Sequence, residues 1–291
     1  MKVRISLKSI GVFLAMACAT GVASAQDYPS RIVKVVNPYP AGSTTDLLGR
    51  ALAQKLTELW GQQVVIDNRP GAGAVIGTQI VAQANPDGYT LIFSTSSGLI
   101  TNPLIYKVPY DTFRDFAPVA LASLNPQVLF THPSVAAKTV ADLVALAKAK
   151  PEQLSYASPG SGNSGHLAGE LFNSMAGVQT VHIPYKGSAP AMLAVLAGEV
   201  DLAILDLSAM NQVQSGKLTA LALTTQARSP LAPGIPTLSG TGISGVDVPS
   251  GQGLLAAAGT PREIVVRLNS IVNQALNSDE VRKNFMARAF M

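Results

Sequence analysis

The chain has 291 residues, of which 47% are hydrophobic and 13% charged, so it is long and apolar enough for two medium-sized domains. Its formal net charge of +4 includes three basic residues near the N-terminus, and without them 18 basic residues face 17 acidic ones. This near balance gives no reason to expect a nucleic-acid-binding protein.

Residues 1–25 have the pattern of a cleavable secretory signal peptide. Lys2, Arg4 and Lys8 precede an apolar run, which ends in the small residues Ala23-Ser24-Ala25. The single cysteine, Cys18, lies in this leader, so the mature chain is expected to have no disulfide, as suits a bacterial periplasmic protein with a large core. No later stretch reaches about 18 uninterrupted apolar residues, and we expect a soluble mature chain.

Strand and helix signals then alternate along the first part of the chain. "RIVKVVNPY" (31–39) predicts a strand, and the leucines spaced along 45–60 predict a helix that Gly61 ends. The segments "QQVVIDN" and "YTLIFST" predict strands on either side of the helix "GTQIVAQA". This alternation predicts a parallel sheet flanked by helices.

The same pattern begins again after residue 124. "NPQVLFTH" predicts a strand, and Thr139 with Asp142 predicts the capping box of the next helix. Predicted strands "LSYASP" and "TVHIPY" each lead into a helix, over 165–176 and 189–197, before the strands "VDLAIL" and "LTALALTT". Thr260-Pro261-Arg262-Glu263 predicts a further helix start, with Thr260 as its cap. Two sets of strands and helices predict two lobes.

Two strand-to-helix loops are candidate ligand sites. They lie over 39–46 and 158–166, are rich in Pro, Gly and Ser, and contain no Lys or Arg. Open α/β sheets bind ligands at the carboxyl ends of their strands, and helix N-termini bind anions through backbone N–H groups. Either loop alone is better explained as a well-capped turn, but a matched pair favours a shared anion site.

Five ordered segments carry a resemblance to a known family. They are "YPSRIVKVVNPYPAGSTTD", "VVIDNRPGAGAVIGTQIVAQANPDGYTL", "YASPGSGNSGHLAGELF", "HIPYKGSAPAMLAVLAGEVDL" and "LLAAAGTPREIVVRLN". Together they resemble the Bug family, the tripartite tricarboxylate transporter substrate-binding receptors. The resemblance implies an α/β, two-lobed periplasmic-binding-protein (Venus flytrap, type II) fold, in which each lobe is a mostly parallel sheet flanked by helices. We expect lobe 1 over 27–126 plus 228–291, and lobe 2 over 127–227.

The resemblance also implies that the two loops hold a ligand carboxylate from opposite lobes. The candidate ligand-binding residues are Tyr39, Ala41, Gly42, Ser43 and Asp46 in the first loop and Ser158, Gly160, Ser161, Gly162, Ser164 and His166 in the second, with Ser94, Thr95, Tyr185 and Asp206 elsewhere. Asp46 and His166 are alternatively explained as helix-capping groups. An acid at Asp206 favours a ligand with an amine or hydroxyl over a second carboxylate.

The predicted function is a periplasmic receptor for a small carboxylate: a di- or tricarboxylate, an acidic amino acid or an aromatic acid. The resemblance implies a membrane permease as partner, and we expect a monomer that is not an enzyme and has no cofactor. No metal is expected, because the three histidines lack the spacing of a zinc site. Family chains continue beyond the last residue of this one, so we expect lobe 1 to lack part of its cover.

Two sequence motifs suggest other functions, a serine hydrolase and a dinucleotide-binding protein. An exported hydrolase with a serine nucleophile in the 158–166 loop is the second hypothesis, although the chain has no Gly-x-Ser-x-Gly elbow. "GAGAVIG" (71–77) resembles a dinucleotide fingerprint, but its glycine spacing differs and Arg69-Pro70 separates it from the strand. We therefore predict no nucleotide site there.

Overall fold

The structure is a computed structural model that describes residues 28–288 and residue 290, so the predicted signal peptide lies outside the described residues. The strands are β1 (Val33–Asn37), β2 (Val64–Asn68), β3 (Thr90–Thr95), β4 (Phe116–Asn125), β5 (Gln127–Thr131), β6 (Ser155–Ser158), β7 (Val181–Pro184), β8 (Leu202–Asp206), β9 (Thr219–Leu223) and β10 (Ser250–Ala257). The helices are α1 (Thr44–Trp60), α2 (Val75–Ala82), α3 (Asn102–Ile105), α4 (Thr112–Asp115), α5 (Val140–Ala149), α6 (Ser164–Ala176), α7 (Ser188–Leu196), α8 (Met210–Gln214), α9 (Arg262–Leu276) and α10 (Asp279–Met286). Within these described ranges, no helix has the length and apolar character needed to cross a bilayer.

The strands form two five-stranded sheets, ordered β2-β1-β3-β10-β4 and β7-β6-β8-β5-β9. In the first sheet β1 pairs parallel with β2 and β3, and β10 runs antiparallel to β3 and β4. In the second sheet β6 pairs parallel with β7 and β8, and β5 runs antiparallel to β8 and β9. Four strands of each sheet therefore point the same way, which confirms the predicted α/β fold of two mostly parallel sheets.

Helix α1 covers one face of the first sheet because its leucines recur every four residues. Leu48, Leu52 and Leu56 are buried and share a core with Val35 of β1 and Leu91 of β3. Burying a leucine side chain contributes about 1.5–3 kcal/mol. This packing fixes α1 on the sheet, with its N-terminus beyond the carboxyl end of β1.

The second sheet is covered on both faces. Val128 and Phe130 of β5 pack with Val195 of α7, whereas Leu129 packs with Phe172 of α6. Alternate residues of one strand therefore lie in two different cores. This double burial explains why "VLF" (128–130) is apolar without the alternation of a half-exposed strand.

Helix ends test three capping predictions. Gly61 ends α1 with φ 67°, and Thr139 and Asp142 form the predicted capping box of α5, which confirms both. The predicted Thr260 cap is wrong. Pro261 occupies the N-cap position of α9, and the Thr260 hydroxyl donates at 2.8 Å to the carbonyl of the last residue of β10. A hydroxyl engaged by the preceding strand does not cap the helix.

Two crossings join the sheets, each at a proline. Pro126 is the single residue between β4 and β5, and Pro249 immediately precedes β10. The Thr224 hydroxyl links the two crossings, because it accepts from the Gln127 N–H at 3.2 Å and donates to the Val248 carbonyl at 3.1 Å. The two crossings therefore lie side by side and are tied to each other by the Thr224 hydroxyl.

The segment between β9 and β10 packs against the second sheet. We predicted a return to lobe 1 at residue 228, but Leu231 and Ile235 pack in a core of the second sheet, as do Leu238 and Val246. The segment between β9 and β10 thus buries its apolar side chains against the second sheet. We therefore propose that lobe 2 runs from residue 127 to about residue 248, and that lobe 1 resumes at Pro249.

Candidate functional site

Buried polar side chains collect where the two sheets face each other. Because β4 runs through Pro126 directly into β5, the carboxyl ends of β1 and β3 face those of β6 and β8 across the crossings. Nine polar or acidic residues at these edges have at most 9% of their surface exposed: Asn37, Ser94, Ser123, Asn125, Gln127, Ser158, Asp206, Thr224 and Gln252. Buried polar groups concentrated at strand ends mark a cleft for a polar ligand.

Loop 1, residues 38–43, joins β1 to α1. Gly42 has φ 80°, a conformation that a glycine adopts without strain. Ser43 is the N-cap of α1, and its hydroxyl accepts from the Asp46 N–H at 3.3 Å. Ala41 and Gly42 are exposed at the mouth of the helix. The loop therefore presents small residues, backbone and the positive end of the α1 dipole to the cleft.

Asp46, in the first turn of α1, holds loop 1 in place through its carboxylate. Its carboxylate is 2% exposed and accepts from the Gly42 N–H at 2.8 Å, from Arg50 Nε at 3.0 Å and from Asn68 Nδ2 at 2.9 Å. Burial alone would raise the pKa of Asp46, but these hydrogen bonds and the Arg50 charge hold it below its usual value. These contacts favour the capping alternative over direct ligand contact for Asp46.

Tyr39 connects loop 1 to the end of β3. Its hydroxyl lies 2.6 Å from Thr95 Oγ1, and burial raises its pKa, so the phenol stays protonated. Ser94 is fully buried beside it. A side chain at Gly98 would come within 2.9 Å of Ser94 Oγ and 3.1 Å of the Tyr39 hydroxyl, so only glycine fits there. The predicted residues Tyr39, Ser94 and Thr95 thus form one group at the strand end.

Loop 2, residues 159–163, joins β6 to α6 in the second sheet. Asn163 is the N-cap of α6 and accepts from the His166 N–H at 3.0 Å. Gly160 and Gly162 have φ 147° and 76°, and Ser161 is exposed between them. Ser164, the first residue of α6, is buried. Loop 2 therefore repeats the design of loop 1 on the opposite side of the cleft.

Two stacked histidines hold loop 2. The Gly162 N–H donates to His166 Nδ1 at 3.0 Å, and the Ser158 hydroxyl lies 2.7 Å from His182 Nε2. The rings of His166 and His182 are 3.9 Å apart and 15° from parallel. Burial, together with the neighbouring His166, lowers the pKa of His182 to about 4. In this geometry His166 is an acceptor for the loop backbone, which favours its structural alternative over direct ligand contact.

Acid should destabilise the fold through His182. Its pKa is about 4 when folded and about 6.5 when unfolded, so the unfolded chain binds a proton that the folded chain does not. The free energy of unfolding should therefore fall by about 2 kcal/mol from this group as the pH falls from about 7 to about 5. We expect His182→Gln, which keeps a polar group near Ser158 without titrating, to remove that part of the loss. Urea unfolding at both pH values measures it, and His132→Gln, outside the stack, should leave it unchanged.

Tyr185 and Asp206 lie at the second-sheet edge near loop 2. The Tyr185 N–H donates to the Ser158 carbonyl at 3.0 Å, and its ring packs against a core of the second sheet. Asp206 accepts from the Ser208 N–H at 2.9 Å and from its hydroxyl, and the Ser188 hydroxyl lies 3.4 Å from its second oxygen. Both carboxylate oxygens of Asp206 therefore have partners within the second sheet's edge, and the oxygen near Ser188 has the longer hydrogen bond.

A segment that we did not predict as part of the site reaches across the cleft. Gly162 of loop 2 lies so close to Ile105 of α3 that a methyl group at position 162 would collide with Ile105 Cδ1. Asn102, at the start of α3, donates to the Gly73 carbonyl at 2.6 Å. Residues 71–74 all have positive φ, including Ala72 and Ala74. The alternating Gly and Ala residues of "GAGAVIG", for which we predicted no nucleotide site, are the sequence feature that could have indicated this tight loop.

The hydrolase hypothesis gains no support from the geometry. Ser158 is the loop serine beside a histidine, but it is fully buried, and its hydroxyl also contacts Gly160 N at 3.2 Å and O at 3.1 Å. His182, with a pKa of about 4, would also be a weak general base at neutral pH. Among the described residues, no group of three His, Cys, Asp or Glu side chains is placed to hold a metal ion.

Comparison with known proteins gives consistent matches. The family model described as Tripartite tricarboxylate transporter family receptor matches residues 48–290. Protein BugT of Bordetella pertussis is 37% identical over 285 residues, covering 97% of this chain and 87% of that protein. The structure of R. palustris Rpa4515 with adipate has a TM-score of 0.81 and 38% identity, covering 91% of this chain and 89% of that one. MatC from Rhodopseudomonas palustris with bound malate has a TM-score of 0.79 and 30% identity, covering 91% and 90%. These matches extend over both sheets.

Proposed function

This chain belongs to the tripartite tricarboxylate transporter receptor family, as its sequence resemblance predicted, and from that premise we propose that it is a receptor for a small carboxylate. The ligand lies between the two lobes and is held by loops 1 and 2. Rpa4515 was solved with adipate and MatC with malate, and we extend the carboxylate class, not either compound, to this chain.

The observation that carries this proposal is the pairing of the two loops. Helices α1 and α6 start at the facing edges of the sheets, each behind a loop of small residues without Lys or Arg. A helix N-terminus carries the equivalent of about half a positive charge and unpaired N–H groups. Two of them facing one cleft suit an anion that both lobes contact together.

Ligand binding then drives closure of the lobes. A carboxylate that touches loop 1 and loop 2 gains both sets of contacts only when the lobes approach, so it shifts the population toward the closed form. The two proline crossings supply the hinge. The receptor binds and releases its ligand without chemical change, and no nucleotide or metal takes part.

We also propose the location and partner that the sequence predicted. The receptor acts as a monomer in the periplasm, after removal of the leader over residues 1–25, and delivers its ligand to a permease of the tripartite tricarboxylate type. The family membership and the leader sequence support this assignment.

A matched set of acids and their esters or amides tests the proposal. Thermal unfolding of the purified mature chain is followed with malate, adipate, glutamate and benzoate, and with the methyl ester or amide of each. Ligand at about 100 times its dissociation constant adds roughly 2.7 kcal/mol to the free energy of unfolding, so one acid class should raise the melting temperature. These analogues, with every carboxylate esterified or amidated, should leave it unchanged, because they offer no carboxylate to the two loops. Equal shifts with an acid and its ester, or release of methanol from the ester, would contradict the proposal.

A further inference from the structure

Three buried polar side chains form a row across the cleft edge of the first sheet. Gln252 of β10 is paired in register with Ser123 of β4, and residues paired across strands share one face. Asn37 of β1 lies on the same face, because it alternates with Val35, which packs in one core with Leu254, two residues from Gln252. We name Asn37, Ser123 and Gln252 the polar row.

The polar row lacks hydrogen-bond partners from the chain. Asn37 is 0% exposed, and Ser123 and Gln252 are each 3% exposed. Within the part of the chain that the structure describes, neither Asn37 amide atom, nor Ser123 Oγ, nor Gln252 Oε1 has a hydrogen-bond partner. Buried polar groups in proteins are almost always paired, and an unpaired one destabilises the fold. An ordered water or a ligand group in the cleft would supply the partners that the polar row lacks.

The position of the polar row distinguishes it from an isolated unpaired group. Thr131 Oγ1 is also buried and unpaired, but it ends β5 at the edge away from the cleft. Gln252, by contrast, is also paired in register with Thr95, whose hydroxyl lies 2.6 Å from the Tyr39 hydroxyl of the loop 1 segment. The row thus adjoins the proposed carboxylate site.

The chemistry of the polar row points to an uncharged group. Asn37 offers a donor and an acceptor, Ser123 offers both, and Gln252 Oε1 offers an acceptor. A hydroxyl group, which donates and accepts at once, matches this mixture better than a second carboxylate. We propose that the polar row is a subsite for a ligand hydroxyl, so that the receptor selects hydroxycarboxylic acids over their deoxy analogues. This inference rests on the proposed function, because loops 1 and 2 must hold the carboxylate.

Two matched ligand pairs test the subsite by calorimetric titration of the purified mature chain: malate against succinate, and mandelate against phenylacetate. In at least one pair the hydroxy acid should bind about tenfold more tightly. Gln252→Met and Ser123→Ala should reduce that ratio to within about twofold, while the affinity for the deoxy acid stays within about threefold. Thr131→Val is the matched control, because it also removes a buried unpaired hydroxyl, and it should leave the ratio unchanged.

The outcomes separate this inference from the proposed function. Gln252→Met removes an unpaired buried oxygen, so the ligand-free variant should unfold at the same or a higher temperature than the wild type. If this variant then loses the preference for the hydroxy acid, the loss reflects the subsite and not a damaged fold. Equal affinity within each pair, or a preference that survives both substitutions, overturns the subsite alone. Binding of adipate with no binding of either hydroxy acid also overturns it. If none of the acids binds, the proposed function itself fails.

Discussion

Replacing Gly162 by valine should weaken carboxylate binding about 100-fold, equivalent to roughly 3 kcal/mol. Gly162 has φ 76°, which a β-branched residue adopts only with strain, and any side chain there meets Ile105 of the opposite lobe. Ile105 must then take another side-chain conformation, and loop 2 must leave its left-handed backbone conformation or hold it under strain, so the closed form becomes less favourable. The ligand must consequently bind a state that makes fewer contacts, and its apparent affinity falls with the population of the closed form. Calorimetric titration measures the loss.

Two further variants separate the collision from the backbone strain. Gly216 has φ 73°, and a Cβ atom added to it would have no neighbour within 4 Å, so Gly216→Val introduces similar strain away from the cleft. It should lower the melting temperature as much as Gly162→Val does, yet bind ligand as the wild type does. Adding Ile105→Ala to Gly162→Val should recover at least about tenfold of the lost affinity, since the collision is relieved. Wild-type affinity in Gly162→Val, or a double variant no better than the single one, would refute the cross-cleft contact.

The elements that the sequence predicted well are those with local causes. The leucine spacing of α1, its Gly61 stop and the Thr139–Asp142 capping box depend on residues within a few positions of one another, and all are present. By contrast, β4 and β10 were not predicted. β10 reads "SGQGLLAA", whose glycines disfavour a strand, and it forms because β3 and β4 flank it on both sides. Such pairing over more than 100 residues leaves no local pattern.

In the candidate site, too, features with local causes were predicted and features that depend on distant residues were not. Both loops were predicted, because a strand followed by Pro, Gly and Ser and then a helix is a local signal. The roles within them were left open between ligand contact and capping, since they depend on distant partners: Asn68 reaches Asp46 from β2, and His182 reaches Ser158 from β7. Ile105 opposite Gly162 is a contact between lobes and has no sequence signature. The sequence thus predicts the two loops of the candidate site, and tertiary contacts decide which side chains hold those loops in position.

Replacing Asp46 by alanine should destabilise the protein by about 2–3 kcal/mol and weaken ligand binding at least about tenfold. The carboxylate is 2% exposed and accepts from the Gly42 N–H, Arg50 and Asn68, so its removal leaves these donors unpaired and frees loop 1. For a domain of this size the melting temperature should fall by about 4–12 °C. Glu58→Ala is the control, because Glu58 lies on the same helix in an exposed pair with Lys55, and it should cost at most about 0.5 kcal/mol.

The pH dependence of this difference identifies its cause. The folded pKa of Asp46 is depressed, so its stabilising contribution is present above the unfolded pKa of about 3.9 and is lost as the pH falls through the folded value. The stability gap between the wild type and Asp46→Ala should therefore hold at neutral pH and close only in strong acid. A variant that loses affinity while keeping wild-type stability would mean that Asp46 contacts the ligand, and would contradict its role as the support of loop 1. Unfolding and titration of the same preparation decide between a side chain that binds and one that positions the groups that bind.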